Sequence, residues 1–121
     1  MKSLKTFIAG LFLIGCTNSS SNYQTINAQS AKDMMENQDV EIIDVREESE
    51  YQAGHIPGAQ LIPLSTIQSG NSALPSKEKT LLIYCRSGNR SAKAAKKFVK
   101  LGYQHVYDFG GIIDWPYEIE K

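Results

Sequence analysis

An apolar run, Leu81-Leu82-Ile83-Tyr84, breaks at Cys85-Arg86-Ser87-Gly88-Asn89-Arg90 and is followed at once by an amphipathic stretch from Ser91. Unbroken apolarity over so short a run suits a strand covered on both faces. Beyond the break, Lys93, Lys96, Lys97 and Lys100 recur at helical spacing, with Ala92, Ala95, Phe98 and Val99 on the other side. Ser91–Leu101 therefore reads as a helix, which Gly102 stops. A doubly covered strand, a tight turn and a helix make one βα unit. A unit of this kind suits a layered α/β fold.

The remaining apolar runs are also short and separated by helix-like segments. Tyr23–Ile26 is a first strand candidate. Asn27 or Ser30 can cap a helix through Glu36, with Ala31, Met34 and Met35 inward. Val40–Val45 reads as a strand, Glu47–Ala53 as a brief helix ended by Gly54, and Ala59–Ile62 as a short strand. Leu64–Gln68 suits a single helical turn, and 70–79 a loop. His105–Asp108 supplies a last strand, Gly110-Gly111 a turn and Ile112–Tyr117 a terminal turn or short helix. Residues 23–121 suit one small domain, and no internal repeat is present.

Cys85 falls where a strand ends and a helix begins. Ligands in open parallel sheets bind beyond the carboxyl ends of strands. A helix N-terminus there offers unpaired N–H groups and the positive end of the macrodipole, and Arg86 and Arg90 flank the sulfur. All of these favour a thiolate, the form of cysteine that attacks. Two histidines, His55 and His105, and one free cysteine do not make metal-ligand spacing, and no Gly-rich nucleotide motif is present, so no metal or cofactor is expected. With 13 basic against 13 acidic residues there is no charge excess to bind nucleic acid.

The front of the chain reads as targeting rather than fold. Lys2 and Lys5 precede the apolar segment Thr6–Ile14, which is short of the roughly 20 residues a bilayer span requires. Leu13-Ile14-Gly15-Cys16 resembles the bacterial lipobox. That resemblance implies cleavage of a signal peptide, residues 1–15, and a lipid anchor on Cys16. The polar tract 16–22 would then tether the domain, and the protein would sit in the cell envelope, membrane-anchored and facing outside the cytoplasm, in the periplasm or at the cell surface. Only Cys85 would remain as a free thiol, so no internal disulfide can form.

Four segments, in order, resemble the single-domain rhodaneses, or thiosulfate sulfurtransferases, over residues 23–118. These are Asp44-Val45-Arg46 with Glu47-Glu48-Ser49-Glu50-Tyr51, Gly54-His55-Ile56-Pro57-Gly58-Ala59, Cys85–Ser91, and Gly110-Gly111 followed by Trp115. The resemblance implies a five-stranded, mostly parallel sheet flanked by helices on both faces. It also implies Cys85 as the catalytic nucleophile, carrying a persulfide, with Arg86, Ser87, Gly88, Asn89, Arg90 and Ser91 holding the substrate. Donors would be thiosulfate or a similar sulfane compound, and acceptors cyanide in an assay or a thiol or small redox protein in the cell. Relatives that hydrolyse phosphoesters generally have one more residue between the cysteine and the arginine, which opposes a phosphatase or arsenate reductase reading. A persulfide-carrying or regulatory module without efficient turnover is the alternative.

The remaining conspicuous residues read as support. Asp44, at a strand end, is expected to cap a helix or pair with an arginine, and Arg46 to join a salt-bridge network with Glu47, Glu48 and Glu50. His55 is expected to satisfy turn hydrogen bonds rather than act as a base. Gly88 is expected to take a positive φ. Arg86 should project to solvent, whereas for Arg90 bracing the loop and touching substrate are both open. Trp115 reads as core packing, and a monomer is the default state.

Overall fold

The computed structural model describes residues 22–121. The expected signal peptide and the lipidation site at Cys16 lie outside the described residues.

Five strands, β1 (Gln24–Thr25), β2 (Val40–Asp44), β3 (Gln60–Leu61), β4 (Thr80–Cys85) and β5 (His105–Gly111), form one sheet in the order β1-β5-β4-β2-β3. Every pairing between them is parallel. Three α-helices connect them: α1 (Ala28–Asn37), α2 (Glu48–Ala53) and α3 (Asn89–Lys100). Single 3₁₀ turns follow at Leu64–Thr66 and Ile112–Asp114.

Side chains along a strand alternate between faces, and here each face has its own core. Leu81, Ile83 and Cys85 join Ile43, Val45 and Val106 against Ala94, Ala95 and Phe98 of α3. Leu82 and Tyr84 join Ile42 and Phe109 on the opposite side, against Ala31, Met34 and Met35 of α1 and Tyr51 of α2. All five residues Leu81–Cys85 are buried, which is why the run carries no polar alternation. The expected α/β sandwich of helices on both faces is the observed one.

Helix boundaries follow from their caps. Asn27 takes the N-cap of α1, its Oδ1 accepting the Ser30 N–H at 2.8 Å. Helix α3 starts at Asn89, two residues before the expected Ser91, because Gly88 adopts φ +106° and turns the chain directly into the helix. Lys97 and Lys100 in its last turn complement the macrodipole. Gly110-Gly111 is not a turn. Both residues belong to β5, and the positive φ of Gly110 accompanies the register shift that sets Gly111 opposite Cys85.

The chain leaves β2 toward β3 on one side and β4 toward β5 on the other. Crossovers that depart in opposite directions open a crevice at the carboxyl ends of the two strands between them. Asp44 ends β2 beside Tyr84, and Cys85, the next residue, ends β4.

Candidate active site

Cys85 is 1% exposed and is a free thiol. Its Sγ accepts the Gly88 N–H at 3.0 Å and the Ser91 N–H at 3.3 Å. The first N–H groups of a helix have no partner within it. Those of Arg86, Ser87, Asn89 and Arg90 find no acceptor among the described residues. The loop is thus a cradle with two amides on the sulfur and four more unused. Such a set of amides can accommodate an anion by the backbone alone.

Several contacts fix this loop. The Arg86 carbonyl accepts the Ile113 N–H at 3.2 Å. Ser91 is fully buried, and its hydroxyl donates to the carbonyl oxygens of Gly88 at 3.1 Å and Gly110 at 3.4 Å. Gly111 lies flat beneath the loop: a Cβ there would overlap the Arg86 carbonyl oxygen and come 2.5 Å from Ser87 Cα. Only glycine permits that approach. The end of β5 is therefore the floor on which the Cys85 loop rests, rather than the turn its composition suggests. The adjacent glycines were the available signal.

The two arginines do different things. Arg86 is exposed and has no ion-pair partner among the described residues. Arg90 turns back to Glu50 of α2, Nη1 to Oε1 at 2.8 Å and Nη2 to Oε2 at 3.0 Å. This bidentate pair spans the crevice between the β2 and β4 crossovers. Hydrogen bonding from Arg90, aided by the Glu47 N–H and opposed by burial, holds the Glu50 carboxyl down to about 2. The Arg90 guanidinium is raised in turn, first by Glu50, against burial. Bracing is the geometry observed for Arg90.

Asp44 pairs with an arginine, one of its two expected roles, and the partner is Arg46. Arg46 does not join Glu47, Glu48 and Glu50. Its Nε and Nη2 reach Asp44 at 3.0 and 2.7 Å, and Nη2 also donates to the Gly54 carbonyl at 2.7 Å. Burial decides the partner: Arg46 is 5% exposed and Asp44 fully buried, and a buried charge needs its counterion within contact. Tyr84 Oη donates to Asp44 at 2.8 Å and accepts the Ile56 N–H at 3.0 Å. Burial, with Asp44 adding, pushes the Tyr84 hydroxyl well above its ordinary range, so it stays a donor. His55 belongs to the same turn. Its ring stacks on Tyr51 at 3.7 Å, and Nδ1 lies 2.8 Å from the Tyr51 carbonyl oxygen. Its backbone exchanges two 2.8 Å hydrogen bonds with Glu120. None of the ring's hydrogen-bond partners belongs to the Cys85 loop. Trp115 is half-buried and packs on Phe109 and Tyr117.

A buried thiol at the end of a parallel strand, with two amides of a helix start on its sulfur, is the arrangement of an α/β protein whose crevice can hold an anion beside a cysteine. The comparisons narrow that description. Residues 27–116 match the rhodanese-like domain family, and the chain belongs to it. The chain is 38% identical over 73 residues to the thiosulfate sulfurtransferase PspE of Escherichia coli, covering 60% of this chain and 70% of that one. It is 37% identical over 100 residues to the probable adenylyltransferase/sulfurtransferase MoeZ of Mycobacterium tuberculosis. That match covers 79% of this chain but spans only 25% of the longer relative. Among solved structures, a rhodanese-related protein from Thermoplasma volcanium aligns with a TM-score of 0.71 and 31% identity, over 81% of this chain and 98% of that one.

Proposed function

We propose that this protein is a thiosulfate sulfurtransferase that works through a persulfide on Cys85, anchored to a bacterial membrane by a lipid on Cys16. The observation that carries the reading is the cradle: two amides already on Sγ, and four unused ones available to an added sulfur or a donor's oxygens. In the first step the Cys85 thiolate attacks the outer sulfur of thiosulfate. An Sγ–S bond forms, the donor's S–S bond breaks, and its electron pair leaves with sulfite. In the second step a thiol, a small redox protein or, in an assay, cyanide attacks the outer sulfur and restores the thiolate. Two displacements through one covalent intermediate give ping-pong kinetics. Exposed Arg86 would draw in the dianionic donor, and the amides of residues 86–91 would hold the charge as it moves. No step calls for a metal or cofactor.

Intact-protein mass spectrometry after thiosulfate treatment tests the intermediate directly, by the mass of one added sulfur, and peptide mapping places it on Cys85. Loading together with thiosulfate:cyanide turnover supports the enzyme. Loading without turnover supports the carrier alternative, and hydrolysis of an aryl phosphate without any sulfur transfer would reverse the assignment. Metabolic labelling with a fatty acid tests the anchor, and a Cys16→Ala variant that still partitions into membranes would contradict it.

A further inference from the structure

We propose that Glu50 is a positioning residue that sets the charge of the Cys85 loop: it holds and neutralises Arg90, leaving Arg86 as the loop's one uncompensated cation among the described residues. This deepens the sulfur-transfer reading above and rests on it.

The geometry is that of a built clamp. Glu50 uses both carboxylate oxygens on Arg90, at 2.8 and 3.0 Å, and Oε1 also accepts the Glu47 N–H at 3.0 Å. It is thereby tied to the first turn of its own helix before it reaches across to α3. The two side chains are 28% and 30% exposed, so the pair is partly screened from water and keeps more of its strength than a surface pair. Arg90 lies in the first turn of α3, where the loop ends, one residue before Ser91, whose amide touches the sulfur.

The chemistry supplies a reason for the device. Thiosulfate enters as a dianion, and sulfite also leaves as one. Two unpaired arginines beside the sulfur would bind both well, which helps the first step and slows the second. Binding shared equally by substrate and transition state lowers KM without raising kcat, and the same hold on the product slows its release. Cancelling Arg90 with Glu50 leaves enough positive field to attract the donor without trapping the product.

The test uses the full chain and two alkylating probes, anionic iodoacetate and neutral iodoacetamide. Each loses iodide as an S–C bond forms, and the product is quantified on the peptide carrying Cys85. The ratio of the two rates reports the field at the sulfur and does not depend on sulfur transfer. Glu50→Gln preserves a capping acceptor at this position but removes the charge. It should raise the iodoacetate preference by about threefold. Arg90→Gln should shift the ratio the other way by a similar factor, and the double variant should return near wild type. In thiosulfate turnover, Glu50→Gln should lower KM and kcat together. Single variants that shift the ratio in the same direction, or by less than twofold, overturn the proposal, as does a double variant that fails to return. Ratios that behave as stated with no wild-type turnover sink the sulfurtransferase assignment instead and leave the charge-setting role standing.

Discussion

Two neighbouring strands end at the same level of the sheet and do opposite things with their polar groups. At the end of β2, Asp44 receives three donors from Arg46, its backbone N–H, Nε and Nη2, and one from Tyr84, and Arg46 Nη2 also donates to the Gly54 carbonyl. That network is buried and closed. At the end of β4, Cys85 receives two amides while four others in the same loop have no acceptor among the described residues. A closed network fixes a backbone, whereas an open one leaves donors free for a ligand. The Glu50–Arg90 pair joins the two ends, linking α2, which follows the closed network, to α3, which follows the open cradle.

The contrast is broken most severely at Cys85. Cys85→Ser should lower thiosulfate:cyanide turnover by more than about 1000-fold with only a small loss of thermal stability, since the nucleophile is lost while a hydroxyl of nearly the same shape fills the buried site. Turnover that survives this change would end the proposed mechanism. Asp44→Ala attacks the closed side and should do the reverse in kind. It strands the buried Arg46 charge and should cost about 3–5 kcal/mol in urea unfolding. A loss below about 1 kcal/mol would mean that the network is not what holds this strand end.

Gly111→Ala lies between these extremes. Its Cβ must displace the Arg86–Ser87 backbone, costing about 1–3 kcal/mol in stability. The resulting shift of the cradle should reduce turnover roughly 10- to 100-fold. The smallest effect belongs to the bridge. The Glu50 carboxyl sits at about 2 in the fold against 4.5 for an ordinary glutamate, so the unfolded chain binds its proton more readily. Its contribution is complete above about pH 4.5 and is lost as pH falls toward 2. Partial exposure limits it to about 1 kcal/mol. The stability gap between wild type and Glu50→Gln should therefore close on acidification, and a gap constant with pH would remove Glu50 from that linkage.

The elements legible in the sequence are those whose signal is local. Strand β4 and helix α3 carry unbroken apolarity and a lysine stripe, Asn27 announces α1, and the thiol at a strand end with Gly88 beside it marks the site. Less was legible where a residue's surroundings come from a distant segment. Arg46 has three glutamates nearby in sequence, yet burial turns it to Asp44. Gly110-Gly111 has the composition of a turn but extends β5, because a close-packed loop needs a floor without side chains. Glu50 and Arg90 are 40 residues apart, and no periodicity relates them.

The order of amino acids by itself determined the layered α/β class, the place of Cys85 at a strand terminus and the glycine that turns the chain into α3, because these depend on side-chain periodicity and on backbone freedom at single residues. Only the tertiary structure decided which carboxylate each arginine takes, which amides converge on the sulfur and which strand lies beneath the loop. Those outcomes depend on burial and on distances between segments, which exist only once the sheet has brought β2, β4 and β5 side by side.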